Sequence, residues 1–215
     1  MSSVDGVIFD VDGTIWDSTP VVMKAWNRAL SECGYNERVT ADRLKGLFGL
    51  PMLDIIADIL PWEKRENMES FLELCSRYEF EYLDNEAGTV YDGMEETLKQ
   101  LSERYKLAIV SNCQAGYIEL MFNKTGFAKY FQLHLCPGDT GQLKAGNIMI
   151  AAKRCGMNNP IYVGDTHMDE NASREAGVKF VHAAYGFGKA ENPDASICAI
   201  NELVNLLEDS YVLRT

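Results

Sequence analysis

The sequence predicts an α/β protein: a parallel sheet with helices on both faces, interrupted near its start by an all-helical segment. Three observations predict it. Short apolar runs of strand character alternate with helically spaced stretches through the second half of the chain, the sign of βαβ units. Runs such as Ala108-Ile109-Val110 are continuously apolar, which suits strands buried on both sides. From about Thr19 to Tyr91, by contrast, helix patterns follow one another with no convincing strand between them.

In chain order, VDGVIF at Val4–Phe9 reads as the first strand. Candidate helices follow at Pro20–Cys33, Ala41–Leu47, Met52–Leu60 and Trp62–Leu83, with Gly34, Gly49-Leu50-Pro51 and Pro61 marking the breaks. Asp92-Gly93 opens a helix at Met94–Arg104 that returns the chain to strand material at Leu107–Val110. Strands at Phe131–Cys136, Ile161–Val163 and Val178–Val181 then alternate with helices at Ala115–Lys124, Asn147–Cys155 and Met168–Ala176. The reading is a core formed by residues 1–18 and 92–215, carrying a helical cap over residues 19–91.

With 215 residues the chain can build one substantial core, or one core with a smaller appended domain. Its 47% hydrophobic and 24% charged residues exclude disordered and fibrous classes. Lys and Arg number 20 against 32 Asp and Glu, a net charge of −12, which argues against nucleic acid as a partner. A small anion would need a bound cation, a few basic side chains or aligned backbone amides. No basic segment leads into an apolar one at the N-terminus, and no apolar run approaches about 18 residues, so no membrane association and a cytoplasmic address are expected. Six cysteines stand singly at positions 33, 75, 113, 136, 155 and 198, which reads as reduced, mostly buried thiols. His134, His167 and His182 are equally isolated and suggest no metal cluster.

The chemistry concentrates at predicted strand ends. Asp10 and Asp12 directly follow the first apolar run, with Gly13 and Thr14 completing DxDGT. In a parallel sheet, ligands bind beyond the carboxyl ends of the strands. Two carboxylates flanking Val11 converge on one ligand only if the backbone turns, and Gly13 eases that turn. One carboxylate can attack phosphorus while the other exchanges a proton with the leaving alkoxide and with water, provided their environments hold one ionised and the other protonated. A polar turn or an unrelated metal loop explains DxD alone equally well.

Gly164-Asp165-Thr166-His167-Met168-Asp169 repeats the design after a second apolar strand. Asp165 is placed to ligate a hard cation such as magnesium together with Asp10, and Asp169 to support it; first-turn helix charges are the rival reading for Asp169 and the preferred one for Glu170. Ser111-Asn112, after the middle strand, can donate hydrogen bonds to a phosphoryl oxygen or cap a helix. Lys144, in the loop that begins at Gly138, could supply the cation that gathered carboxylates and an anionic substrate require.

Taken in order, Asp10-Val11-Asp12-Gly13-Thr14, Ser111-Asn112, Lys144 and Gly164-Asp165 with Asp169 resemble the four motifs of the haloacid dehalogenase-like superfamily, over nearly the whole chain. The helical insertion between the first two resembles the subclass containing phosphoglycolate phosphatase and beta-phosphoglucomutase. The resemblance implies a Rossmann-like core, a mobile helical cap, Mg2+ and an aspartyl-phosphate intermediate. It implies Asp10 as nucleophile and metal ligand, and Asp12 as general acid/base with its backbone carbonyl on the metal. Ser111, Asn112, Lys144, Thr14 and Gly13 would serve the phosphoryl group, with Asp165 on magnesium and Asp169 behind it. Trp16, bulkier than the usual aliphatic residue, and Lys144-Ala145-Gly146, which lacks the usual proline, depart from the pattern.

Dehalogenases of the superfamily lack the second aspartate, so Asp12 with Thr14 favours hydrolysis of a small phosphorylated metabolite: phosphoglycolate-like, sugar phosphate or nucleotide. A phosphomutase is the alternative, against which Thr14 weighs because the sugar mutases tend to carry Val there; a non-catalytic binding module comes behind both. A monomer or weak homodimer is expected. Within the cap, the segment Lys45–Pro51 should face the site, and Arg43 and Lys45 are candidates for a second anionic group, with surface solvation as the rival reading for each.

Overall fold

The computed structural model describes residues 3–208. Strand β1 (Gly6–Phe9) leads through the two-residue β2 (Trp16–Asp17) into four helices: α1 (Thr19–Glu32), α2 (Ala41–Leu47), α3 (Met52–Ile59) and α4 (Arg65–Asn85). The chain returns through β3 (Thr89–Val90) to α5 (Met94–Ser102), β4 (Lys106–Val110), α6 (Tyr117–Thr125), a 3-10 turn at Phe127–Tyr130, and β5 (Leu133–Leu135). The short α7 (Pro137–Thr140), then α8 (Lys144–Arg154), β6 (Pro160–Gly164), α9 (His167–Glu175), β7 (Lys179–Ala183), β8 (Ala195–Ile197) and α10 (Glu202–Glu208) complete the described chain.

Six strands form one parallel sheet in the order β5-β4-β1-β6-β7-β8. This is the Rossmann-like order, with the chain running outward from β1 in both directions. Successive β1 residues alternate between faces: Val7 and Phe9 join one buried cluster, Ile8 the other. Burial on both sides explains the continuously apolar strand sequences. Phe9 pairs with Ile109 and with Val163, so β1, β4 and β6 end together and release Asp10, Ser111 and Asp165 at one edge.

The helical segment packs α1 along α4, with Trp26, Leu30, Phe71 and Leu83 buried. Its helix α2 is capped by Thr40, whose hydroxyl accepts from the Arg43 amide, as expected where four amides lack helical partners. The two chain crossings between sheet and helices run side by side as an antiparallel ribbon, Trp16 opposite Val90 and Asp17 opposite Thr89. Thr89–Val90 is therefore a strand where the sequence offered none; two residues are too few to show a period of two.

Other differences have similar causes. The four-residue α7 occupies part of the expected Gly138–Lys144 loop, and Lys144 is the first residue of α8. Helix α4 starts at Arg65 rather than Trp62, whose side chain is exposed. The short β8 and α10 had no periodic signal. All six thiols are free, yet only Cys75 and Cys136 are buried; Cys33 and Cys198 are exposed, against the expectation of mostly buried thiols. Among the described residues no helix is long and apolar enough to cross a membrane.

Candidate active site

Beyond β1 the Asp10 amide still donates to Val163 O at 2.9 Å, and then the backbone turns: Ile15 N donates to Val11 O at 2.7 Å and Gly13 N to Trp16 O at 2.9 Å. Gly13 carries φ +79°, and a Cβ there would lie 2.3 Å from Asp165 Oδ2. No other residue type fits that turn this close to a second strand's carboxylate.

The turn separates the two carboxylates. Asp10 faces Lys144, whose Nζ lies 3.1 Å from Asp10 Oδ1 and 2.6 Å from Asp169 Oδ1; all three side chains are at least 96% buried. Burial raises the Asp10 carboxyl to about 6, with the adjacent Lys144 ammonium opposing the rise and the Asp169 charge adding to it. Asp12 points elsewhere: the hydroxyls of Ser18 and Tyr117 reach its Oδ1 at 2.6 and 2.8 Å. Burial lifts Asp12 further, to about 7, against the pull of those two hydroxyls. Ser18 and Tyr117 left no mark in the sequence. Ser18 sits at the start of α1 but spends its hydroxyl on Asp12 rather than on a helix amide, and Tyr117 arrives from across the fold.

Asp169 is both a helix charge and a site residue. Its Oδ2 accepts from the Thr166 hydroxyl at 2.7 Å and the Thr166 amide at 3.0 Å, a capping box that opens α9, while Oδ1 is left for Lys144. Lys144 stands at the positive end of α8, an unfavourable place for an ammonium, and these carboxylates hold it there in its charged form. Glu170 lies in the first turn of α9, as a first-turn helix charge should, but it is also buried and accepts from the amides of Glu191 and Asn192 at 2.8 and 2.9 Å, fastening the loop after β7.

Asp165 Oδ2 accepts from the amides of Phe187 and Gly188 at 2.7 and 3.3 Å, whereas among the described residues its buried Oδ1 has no hydrogen-bond partner, and Asp10 Oδ1 has none beyond its ion pair with Lys144. One carboxylate oxygen each from Asp10, Asp165 and Asp169 lie within 4.8 Å of one another. Burial, with Asp169 and Asp10 adding like charge, drives the Asp165 carboxyl well above its ordinary range. Three crowded carboxylates, two with an oxygen short of hydrogen bonds, against one lysine fit a hard, oxygen-binding divalent cation. The Asp12 carboxylate takes no part in this group.

Asp10, Asp12, Ser111 and Asn112 line one inner cleft under the helical segment, together with Glu79 of α4 and Gln114. The cleft has about 30 Å³ open to water, room for two or so molecules at roughly 10–15 Å³ each. Asn112 Nδ2 donates to Gly49 O at 2.9 Å, tying the sheet edge to the segment Lys45–Pro51 as expected for a loop facing the site. Lys144 borders a wider outer depression that shares Gly49, Leu50 and Asn112. Two expected phosphate contacts lie apart: Thr14 is buried outside the lining, its carbonyl accepting from Tyr185, and Gly13 abuts Asp165. Arg43 bonds Asp58 within the helical segment, and Lys45 pairs with Asp17 at 3.1 Å.

Glu79, absent from the sequence reading, is 97% buried, its two oxygens accepting from Trp26 Nε1 and Gln114 Nε2. Burial raises its carboxyl to about 7 against those two donors. A carboxyl raised on folding binds its proton more tightly in the folded state, so its contribution is complete below the ordinary value of 4.5 and is lost as pH climbs through about 7. For Glu79 the loss amounts to about 3 kcal/mol, and Asp12 acts in the same direction. In metal-free buffer the melting temperature is expected to fall between pH 5.5 and pH 8 by on the order of 5–10 °C, and less in Glu79→Gln. A melting temperature that holds or rises over that interval would refute this electrostatic picture.

A profile of haloacid dehalogenase-like hydrolases matches residues 7–183. The chain is 28% identical over 192 residues to a phosphoglycolate phosphatase of Rhodobacter capsulatus, covering 85% of each chain. It is 27% identical over 216 residues to a phosphoglycolate phosphatase of Aquifex aeolicus, covering 96% of this chain and 98% of the other. A haloacid dehalogenase-like family hydrolase from Streptococcus pneumoniae superposes with TM-score 0.81 at 20% identity, over 96% of this chain and 99% of its own, a likeness of fold.

Proposed function

The chain belongs to the haloacid dehalogenase-like hydrolase family, and from that premise we propose that it hydrolyses a small phosphate monoester with magnesium, through an aspartyl-phosphate on Asp10. It is a phosphoric monoester hydrolase, a phosphatase like the two relatives named above. The observation that carries the mechanism is the contrast between the two carboxylates. Asp10 lies against a buried ammonium, which favours its charged form, whereas Asp12 lies against two neutral hydroxyls, and burial raises both carboxyls. Environments that push neighbouring carboxyls apart in this way assign one as base or nucleophile and the other as acid.

An Asp10 carboxylate oxygen attacks phosphorus and the bond to the ester oxygen breaks. Asp12 gives its proton to the departing alkoxide. Asp12, now ionised, takes a proton from water, whose oxygen attacks the same phosphorus and frees Asp10 and inorganic phosphate. Ser111, Asn112 and the Lys144 ammonium hold the phosphoryl oxygens. Asp10 and Asp165 would hold magnesium through their carboxylates and Asp12 through its backbone carbonyl, with Asp169 acting behind them by fixing Lys144. Bound there, magnesium supplies positive charge to the phosphoryl group and keeps the clustered carboxylates ionised. The helical segment over residues 19–91 serves as a cap on a core of residues 1–18 and 92–215. A cleft of about 30 Å³ admits an ester only when that cap shifts.

Chelation tests the reading. EDTA is expected to lower release of inorganic phosphate from p-nitrophenyl phosphate by at least about a hundredfold, and excess magnesium to restore it. Full turnover in chelator would remove Asp165 from this role. With glucose 1-phosphate supplied, hydrolysis predicts free phosphate, whereas a mutase would deliver an isomerised ester.

A further inference from the structure

The inner cleft carries an acid with no role in the chemistry above. Resting on the phosphatase reading, we propose that Glu79 sets specificity, accepting a hydrogen bond from a hydroxyl or ammonium group on the leaving alcohol and disfavouring esters whose leaving alcohol carries a carboxylate.

The leaving oxygen must come within hydrogen-bond reach of its proton donor. Asp12 lines the inner cleft and not the outer depression, so the leaving alcohol enters the inner cleft, where Glu79 and Gln114 also stand. The Trp26 indole N–H can only donate, and the Gln114 amide is turned to donate, so both Glu79 oxygens act as acceptors, each with a lone pair to spare. Apart from Asp10, the rest of the wall is apolar or neutral, with Val22, Phe48, Leu50 and Ile55 among its members, and among the described residues no Lys, Arg or His lines it. Arg43 and Lys45 of the cap lie outside this lining and pair with Asp58 and Asp17. A substrate carboxylate would thus meet the Glu79 oxygens with no opposing charge in the described wall, whereas a donor group would find an acceptor in place.

The test compares kcat/KM, with magnesium, for glycerol 3-phosphate, O-phosphoethanolamine and 2-phosphoglycolate, with p-nitrophenyl phosphate as a general ester. The wild-type protein is expected to favour one or both donor-bearing esters over 2-phosphoglycolate by at least about tenfold. In Glu79→Gln, whose amide can face a carboxylate, that ratio is expected to narrow by at least about tenfold. A wild-type preference for 2-phosphoglycolate overturns the proposal. So does a variant in which both classes fall together at a constant ratio, the mark of a purely structural role. Should the variant fail to fold, the wild-type ranking decides alone. Absence of turnover on p-nitrophenyl phosphate would instead overturn the phosphatase reading beneath it.

Discussion

Asp10→Asn is expected to lower kcat/KM on p-nitrophenyl phosphate by at least about 10⁴ without lowering the melting temperature. Asn is close to isosteric with Asp but its amide cannot attack phosphorus, so the covalent route closes entirely. Stability responds differently because Asp10, Asp165 and Asp169 crowd one ammonium within a buried site. Removing one of three like charges relieves repulsion, and Lys144 keeps Asp169 at 2.6 Å. The metal-free variant should therefore melt at or above the wild-type temperature. Activity within tenfold of wild type, on protein shown to be free of wild-type carry-over, would dismiss Asp10 as nucleophile.

Lys144→Met is expected to fail on both counts. It strips the cation that, among the described residues, alone pairs with the buried Asp10 and Asp169 carboxylates. Breaking such a pair from one side costs about 3–5 kcal/mol, because the remaining charges are left uncompensated. For a chain of this size that corresponds to a fall in melting temperature on the order of 10 °C. With the phosphoryl contact also gone, kcat should drop by at least about a hundredfold. Lys144→Arg should not rescue it, since the planar guanidinium needs room that a 97% buried side chain lacks. Thermal melts and steady-state rates measured together would decide; a variant that melts like wild type and turns over within tenfold would refute the assignment.

Residues whose placement follows from strand ends were legible in the sequence. Asp10, Ser111 and Asp165 could be foreseen at one edge because apolar strands in parallel register end together, and Asp12 followed from the turn at Gly13. Residues that matter through a single long-range contact were not legible. Glu79 sits on a helix with many charged neighbours and looks like one more residue of a solvated face, yet it is buried by Trp26 and Gln114. Tyr117 reads as an ordinary apolar position of α6 until its hydroxyl meets Asp12, 105 positions away. Thr14 and Gly13, which the resemblance implies serve the phosphoryl group, are placed by the turn rather than by the strand end: it sends one into the interior and sets the other against Asp165. Local pattern fixes direction along an element, and only packing decides which distant side chain answers it.

The narrow ribbon of Trp16–Asp17 against Thr89–Val90 bears on how such a protein can change. Both crossings of the chain lie next to each other, as the paired positions of an antiparallel ladder must, at about 5 Å between Cα atoms. Everything between them, the four helices and Glu79 with them, is joined to the sheet covalently through this one ribbon, much as a tool head sits on a shaft. Exchanging that head for another with equally close ends would leave every strand pairing of the six-stranded sheet uncut. The handle would keep Asp10, Ser111, Lys144 and Asp165, while the choice of ester would travel with the exchanged head.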